Sequence, residues 1–235
     1  MNTNTIEVSV VMPCLNEEET LGICIQKAQS TLKHLGFVGE VIVADNGSTD
    51  NSVLIAEQHG ARIVHQPERG YGAAYLVGLA AAQGEYIIMG DSDDTYDWTD
   101  LERFINPLRE GYDLVIGNRF KGEILRGAMP FARRYIGNPI LSGMLRLLFR
   151  THIGDSHCGM RSFTAAAYKR MDLKTTGMEF ASEMVIKSVE AKLKVQEVPI
   201  TYHPRGGESK LNALRDAARH IHFMLKYKAT HKDNG

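Results

Sequence analysis

Four carboxylates fall within seven residues in Asp91-Ser92-Asp93-Asp94-Thr95-Tyr96-Asp97. They follow Glu85-Tyr86-Ile87-Ile88-Met89-Gly90, whose apolar run reads as a buried strand. Aspartates delivered at the C-terminal end of such a strand are hard oxygen ligands placed in a crevice. In open α/β sheets that crevice is where ligands bind. Two carboxylates with a diphosphate suit Mg2+ or Mn2+, which keep several waters and need few protein ligands. The stretch therefore points first to a metal–nucleotide site. Two other readings compete. An Asp in a polar turn would cap a helix starting near Trp98. Counted from Asp91 as a calcium loop, Asp93, Thr95, Asp97, Thr99 and Glu102 fall at ligand positions. However, Tyr96 stands where that loop needs glycine, and the flanking segment is strand-like.

The surrounding chain alternates short strands and helices. Val8–Pro13 reads as the first strand, ended by Pro13. Asn16-Glu17-Glu18-Glu19 opens a helix to about Leu35, its acids in the first turn where the helix dipole favours them. Glu40–Asp45 is a second strand, and Asn46-Gly47-Ser48-Thr49-Asp50 is a turn that caps the next helix. Arg62–His65 is a third strand, followed by a small-residue helix opened by Gly70-Tyr71-Gly72-Ala73-Ala74. That glycine pair lacks the third glycine of a dinucleotide loop, and the chain carries no GKS or GKT sequence. After the aspartates come a strand at Tyr112–Gly117, helices at 178–193 and 211–228, and a strand at Val195–Tyr202. This alternation predicts one α/β domain with a doubly wound, mostly parallel sheet and helices on both faces.

The 235 residues are 43% hydrophobic, enough for a sizeable core. Cys14, Cys24 and Cys158 form no metal-ligand pattern, and three cysteines cannot all pair, which favours a reducing cytosol. Residues 1–100 hold 15 acidic and 4 basic side chains, against 13 and 23 in the remainder. A basic second half suggests an anionic partner. Nucleic acid is disfavoured, because aromatic residues do not interleave with the basic ones as base stacking requires. No signal peptide is visible and no apolar run reaches the ~18 residues of a spanning helix. The stretch 139–150 is nonetheless very apolar and follows Arg133-Arg134. It fits either a helix lying in a membrane interface or a core helix with solvated arginines. Gly154-Asp155-Ser156-His157-Cys158-Gly159-Met160-Arg161 is a second polar cluster before a helix. Its adjacent His157 and Cys158 would point to opposite faces of an extended chain, which argues against a catalytic pair.

Five stretches, in this order and spacing, resemble family 2 glycosyltransferases. They are Met12-Pro13-Cys14-Leu15-Asn16-Glu17, Val43–Asp50, Asp91-Ser92-Asp93, Gly117-Asn118-Arg119-Phe120 and Cys158-Gly159-Met160-Arg161. Within that family the chain resembles the polyprenyl-phosphate sugar synthases, the group of dolichyl-phosphate mannose synthase, over about residues 6–226. The resemblance implies a GT-A (Rossmann-like) fold over residues 1–228, with a nucleotide-sugar half at about 6–118, an acceptor half at 119–228 and a frayed tail at 229–235. It implies inverting, metal-dependent transfer from GDP-mannose or a UDP-hexose to a polyprenyl or dolichyl phosphate, by a peripheral protein on the cytoplasmic face of a membrane. A membrane-protein partner and a homo-oligomer are both compatible with it. Family 2 transfer to a soluble hydroxyl acceptor and a non-catalytic nucleotide-sugar-binding module are the alternatives.

The resemblance also assigns residues. Pro13, Asn16 and Glu17 would line the base and ribose, Asp45 would bind the base, and Gly47 and Ser48 would shape the turn beneath it. Asp91 and Asp93, flanking Ser92, would hold Mg2+ or Mn2+ on the diphosphate. Arg119, with Arg133 or Arg134, would bind the acceptor phosphate, and Arg205 and Lys210 would close over the donor phosphates. Asp91, Asp93, Arg119 and Lys210 would carry the chemistry. A hydroxyl acceptor would need a base, which Asp155 offers, or Asp155 serves as a cap. Three positions depart from the pattern: Leu15 replaces an aromatic residue, Asn46 an aspartate and Thr95 a glutamine. The third metal ligand is left open between Asp94, Thr95 and water.

Overall fold

The computed structural model describes residues 5–207 and 213–231. Its first half is a regular alternation: β1 (Val8–Cys14), α1 (Leu21–His34), β2 (Gly39–Asp45), α2 (Ser52–Gln58), β3 (Arg62–His65), α3 (Tyr71–Ala81) and β4 (Tyr86–Met89). α4 (Glu102–Arg109), β5 (Leu114–Ile124), a π-helical turn (Arg133–Gly137) and α5 (Asn138–Phe149) follow. β6 (Arg161–Thr164), α6 (Ala165–Met171), α7 (Phe180–Glu190), β7 (Val195–Tyr202) and α8 (Ala213–Thr230) complete the chain. The strands form a seven-stranded sheet in the order β3-β2-β1-β4-β6-β5-β7. β1 lies between β2 and β4, pairing with both in parallel. The chain thus winds outward to β3 and returns to the other side of β1. The carboxyl ends of β1 and β4 flank that change of direction, where doubly wound sheets bind ligands.

β1 is central because it can be buried on both faces. Val8, Val10, Val11 and Met12 are fully enclosed, as a strand covered by helices on both sides must be. α1 packs with α2, and α3 crosses β1 and β2 and meets α7. α3 can lie close to the sheet because Gly78 has no side chain: a Cβ there would stand 2.6 Å from Val11 Cγ1.

The differences from the sequence expectation have local causes. β6 was not foreseen. It has four residues and runs antiparallel between β4 and β5, so its pattern is too short to show a period. β5 runs on to Ile124, seven residues beyond the expected end, with a register shift against β7 between Asn118 and Glu123. α1 starts at Leu21 rather than Asn16, and no acid lies in its first turn. Asn16 has φ 53°, a left-handed conformation that cannot continue a helix. α4 starts at Glu102 rather than near Trp98, because Asp97 Oδ1 closes a local turn on Thr99 N (2.9 Å) and Oγ1 (2.6 Å). α8 continues through Thr230, past the expected start of the tail. Residues 232–235 lie outside the described residues.

α5 has a buried face and an exposed apolar face. Leu141, Ser142 and Leu145 are buried against the body of the protein, where α5 meets α7 and α8. Ile140 and Leu147 face out, Leu147 at 83% exposure, in line with Phe131, Tyr135 and Ile136 before them. No described helix is long and apolar enough to cross a membrane.

The glycine pair at the start of α3 makes a backbone approach. Gly72 N donates to Gly177 O (3.2 Å) and Ala73 N to Thr176 O (3.0 Å). The helix N-terminus is therefore capped by loop carbonyls, which explains why Gly70-Tyr71-Gly72 is no phosphate cradle. A Cβ on Gly72 would meet three backbone atoms, Thr175 O at 2.2 Å first. Gly72→Ala is expected to lower unfolding free energy by about 1–3 kcal/mol, the range for overpacking. The check is an urea midpoint that falls with its m-value unchanged; an unmoved midpoint refutes the fixed approach.

Candidate active site

The turn after β4 is stitched to the end of β1. Gly90 N donates to Val11 O (3.3 Å), Ser92 Oγ to Pro13 O (2.7 Å), and Thr20 Oγ1 to Ser92 O (2.8 Å). Asp91 is half-buried, and Tyr71 and Tyr75 donate their hydroxyls to its Oδ1 at 3.0 and 3.3 Å. Burial pushes its carboxyl up to about 7, and the charge of Asp93 adds to the rise. Asp93 Oδ1 accepts from Thr95 N (3.2 Å) and Thr95 Oγ1 (2.6 Å). Thr95, standing where the pattern has glutamine, therefore orients Asp93. Asp94 points elsewhere. Its φ is 58°, and its Oδ1 lies 2.6 Å from Lys27 Nζ on α1. Of the two protein candidates for a third ligand, one holds Asp93 and the other is turned to a lysine. Among the described residues no group of three or more His, Cys, Asp or Glu is gathered for a metal.

The predicted nucleotide residues converge from three loops. Asp45 ends β2, level with Cys14 at the end of β1. Its carboxylate accepts from Ser48 N (3.0 Å) and Gly47 N (3.4 Å) and lies 3.2 Å from His65 Nδ1. Partial burial raises the Asp45 carboxyl, but the bonds from Ser48, His65 and Gly47 outweigh that and hold it below the usual range. Asn16 reaches the same turn, with Oδ1 accepting from Thr49 N (2.7 Å) and its own N donating to Ser48 Oγ (3.0 Å). Asn46 shows why an amide replaces the aspartate there: Nδ2 donates to Gln66 O (3.0 Å) and Glu68 O (2.7 Å), while Oδ1 accepts from Gly70 N (2.7 Å). A carboxylate could make only the last of these.

Arg205 joins the two groups. Nη1 lies 2.6 Å from Asp93 Oδ2, and Nη2 donates to Glu17 Oε1. Its loop is fastened over the aspartate turn by Gly206 N to Asp93 O (3.1 Å) and His203 N to Thr95 O (3.0 Å). Lys210 lies outside the described residues.

Arg119, which the resemblance assigns to the acceptor phosphate, is engaged inside the protein. It is 5% exposed, and its Nε and Nη2 each lie 2.7 Å from the carboxylate of Asp155, itself fully buried. Its guanidinium also lies over the Tyr202 ring, 5.2 Å from the centroid. Asp155 is correspondingly no open base: both of its oxygens are held by Arg119. Arg133 and Arg134 lie on the π-helical turn, with Arg134 over the Tyr135 ring, and no hydrogen bond or ion pair joins them to Arg119 among the described residues. His157 is half-buried, Cys158 is buried, and the two face different partners, as expected. His157 Nε2 lies 3.2 Å from Ser182 Oγ, and the Cys158 thiol donates to Met160 O.

Several residues here were given no individual role in the sequence reading. Arg161 is buried and donates to the carbonyls of Cys158, Ser156 and Ala181, which fixes the 155–161 loop. Gly159 N in that loop donates to Tyr96 Oη (2.7 Å). The four-residue spacing of Tyr71 and Tyr75 was the available signal for the contacts to Asp91, since it places both on one helix face.

Comparison with known proteins agrees with this geometry. The profile of "Glycosyl transferase family 2" matches residues 9–177. "Low-salt glycan biosynthesis hexosyltransferase Agl6" of Haloferax volcanii is 44% identical over 219 residues, covering 93% of this chain and 53% of that protein. The chain thus spans about half of Agl6. "Dolichyl-phosphate hexose transferase" of the same organism is 31% identical over 90% of each chain. Among solved structures, glucosyl-3-phosphoglycerate synthase from Mycobacterium tuberculosis, in complex with Mn2+, UDP-glucose and phosphoglyceric acid, superposes with a TM-score of 0.75 at 22% identity, over 98% of this chain and 82% of that one. That likeness carries the fold, which is GT-A. With more than half its length matched and the aspartate turn at the carboxyl end of β4, the chain belongs to glycosyl transferase family 2.

Proposed function

We propose that this chain transfers a hexose from a nucleotide sugar to a polyprenyl or dolichyl phosphate, with inversion and with Mg2+ or Mn2+, at the cytoplasmic surface of a membrane. The observation that carries the reading is the meeting of Asp91, Asp93, Glu17 and Arg205 where the sheet changes direction. Two carboxylates with no third carboxylate, histidine or cysteine gathered beside them among the described residues suit a cation that arrives with a diphosphate. The guanidinium on Asp93 already occupies the place of a positive charge. When bound, the cation supplies charge that stabilises the departing nucleoside diphosphate. Arg205 exchanges Asp93 and Glu17 for phosphate oxygens as the donor enters, adding charge-assisted hydrogen bonds to the leaving group. Pro13, Asn16, Glu17, Asp45, Gly47, Ser48 and Ser92 shape the nucleotide side. Lys210, three residues beyond the described loop, is assigned to the same phosphates.

The acceptor assignment draws on the name of the dolichyl-phosphate relative and on chemistry. A lipid phosphate arrives as an anion and needs no base, which suits a site whose nearby Asp155 is tied to Arg119. The exposed line of Phe131, Tyr135, Ile136, Ile140 and Leu147, with Arg133, Arg134 and Arg146 beside it, suits a membrane interface. Arg133 and Arg134 are then the acceptor-side cations, and Arg119, held by Asp155, is a positioning residue.

Reconstitution with radiolabelled nucleotide sugars and short-chain polyprenyl phosphate tests the function. Chloroform-extractable label is expected with one donor and lost in Asp93→Asn; no extractable label with any donor refutes the lipid acceptor. Asp91 adds a pH dependence. Its free carboxyl sits at about 7, and a cation needs it ionised, so metal-dependent nucleotide binding should weaken as pH falls below about 7 and release protons on binding. Calorimetry in buffers of different ionisation enthalpy reads that release, and none at pH 6.5 contradicts it. Arg119→Ala leaves the buried Asp155 charge without a partner and should lower stability by about 3–5 kcal/mol. Denaturant unfolding of Arg119→Ala against the double variant Arg119→Met, Asp155→Leu checks this. Equal stability of the two contradicts the buried-pair role.

A further inference from the structure

We infer that Tyr71 and Tyr75 are positioning residues for Asp91, and that the segment Gly70-Tyr71-Gly72-Ala73-Ala74-Tyr75 orients the catalytic carboxylate. This rests on the proposed role of Asp91 toward the metal–diphosphate. Both hydroxyls donate to one oxygen, Oδ1, at 3.0 and 3.3 Å. No described residue makes a hydrogen bond to Oδ2 within the site. A carboxylate with one oxygen doubly held presents the other in a single direction, which is what a cation with strict octahedral geometry requires.

The two tyrosines are themselves held. Their rings meet edge to face with centroids 4.9 Å apart, and Tyr75 stacks on Phe180 of α7 at 5.7 Å and 7°. The 175–177 loop approaches the helix start so closely that a Cβ on Gly70 would lie 2.2 Å from Thr176 O. Glu183 anchors that loop, accepting from Lys174 N (3.0 Å) and Thr175 N (2.8 Å). On the opposite side of Asp91, Gly159 comes close enough that a Cβ would stand 2.9 Å from Oδ2 and 3.1 Å from Tyr71 Oη. The carboxylate is thus confined between two hydroxyls and a glycine backbone. The glycine pair that looked like part of a phosphate loop instead admits the backbone that fixes these rings.

The test measures Mn2+ affinity by electron paramagnetic resonance in the presence of saturating UDP or GDP, for wild type, Tyr71→Phe, Tyr75→Phe, the double variant and Asp91→Asn. Nucleotide binding without metal and thermal midpoints are recorded in parallel. Each phenylalanine variant keeps its ring packing, so the expected result is a folded protein with unchanged metal-free nucleotide binding. Mn2+ affinity should fall about tenfold or more, the scale of losing a ligand's supporting hydrogen bond. Unchanged Mn2+ affinity in the folded double variant, with Asp91→Asn strongly impaired, overturns the positioning role alone. Unchanged affinity in Asp91→Asn overturns the metal assignment on which the inference rests. Tyr75→Phe, which removes the longer of the two bonds, keeps the question answerable if the double variant does not fold.

Discussion

Two carboxylates two residues apart must be kept together at the end of a buried strand, and most of the site is a response to that. Asp91 and Asp93 raise each other's free energy, and removing Asp91 from water adds to it. The responses come from different parts of the chain. Tyrosine hydroxyls solvate Asp91 from α3, Thr95 closes on Asp93 from within the turn, and Arg205 neutralises Asp93 from the loop after β7. Pairing of β4 with β1 brings the turn against Pro13, and Ser92 and Thr20 lock it there. The same arginine reaches Glu17, so the charge balance of the cation site and the shape of the nucleotide loop are coupled through one guanidinium. A diphosphate that draws Arg205 away must bring its own positive charge for Asp93.

The parts legible in the sequence are those that repeat or cluster locally. Strands β1 to β4 and β7 declared themselves as short apolar runs closed by turn residues, and Val195–Tyr202 is bounded as expected. The aspartate turn was visible because its residues are adjacent. β6 was not, since four residues, three of them polar, cannot establish a period, and its direction depends on partners Leu114–Ile116 and Tyr86–Met89. Arg119 shows a different limit. Its positive charge could be read from the sequence, but its bidentate partner stands 36 residues later, and burial of the pair reverses the expected role from ligand contact to internal brace. Asn16 is a third case. Three glutamates after it resemble a helix start, yet Asn16 and Glu18 bind the Ser48–Asn51 loop instead, and the helix waits until Leu21.

Arg161 and Arg119 show how the positive charge of the second half divides. Both are internal, Arg119 on a carboxylate and Arg161 on three carbonyls, and neither adds to a surface field. Arg126, Arg146 and Arg150 are exposed and Arg133 and Arg134 half-buried, all within the segment that also shows Phe131, Tyr135, Ile136, Ile140 and Leu147 to solvent. Charge alone would suit any polyanion. Charge interspersed with an apolar face suits a surface with both an anionic layer and a hydrocarbon beneath it, because each class of side chain then finds its own depth. The other face of α5 is in the protein core, so the helix can present this pattern without loosening the fold.

That arrangement bears on the choice of acceptor. A soluble hydroxyl must lose its proton as it attacks, and the carboxylate that the sequence offers as a base, Asp155, has both oxygens engaged by Arg119 and no exposure. Freeing it would leave a buried guanidinium without its counter-charge, a penalty of the same size as the few kcal/mol that general-base catalysis returns. An acceptor that is already anionic avoids the problem. It needs positive charge and orientation, and the segment entering α5 offers arginines beside a face that can rest on the layer carrying such an anion.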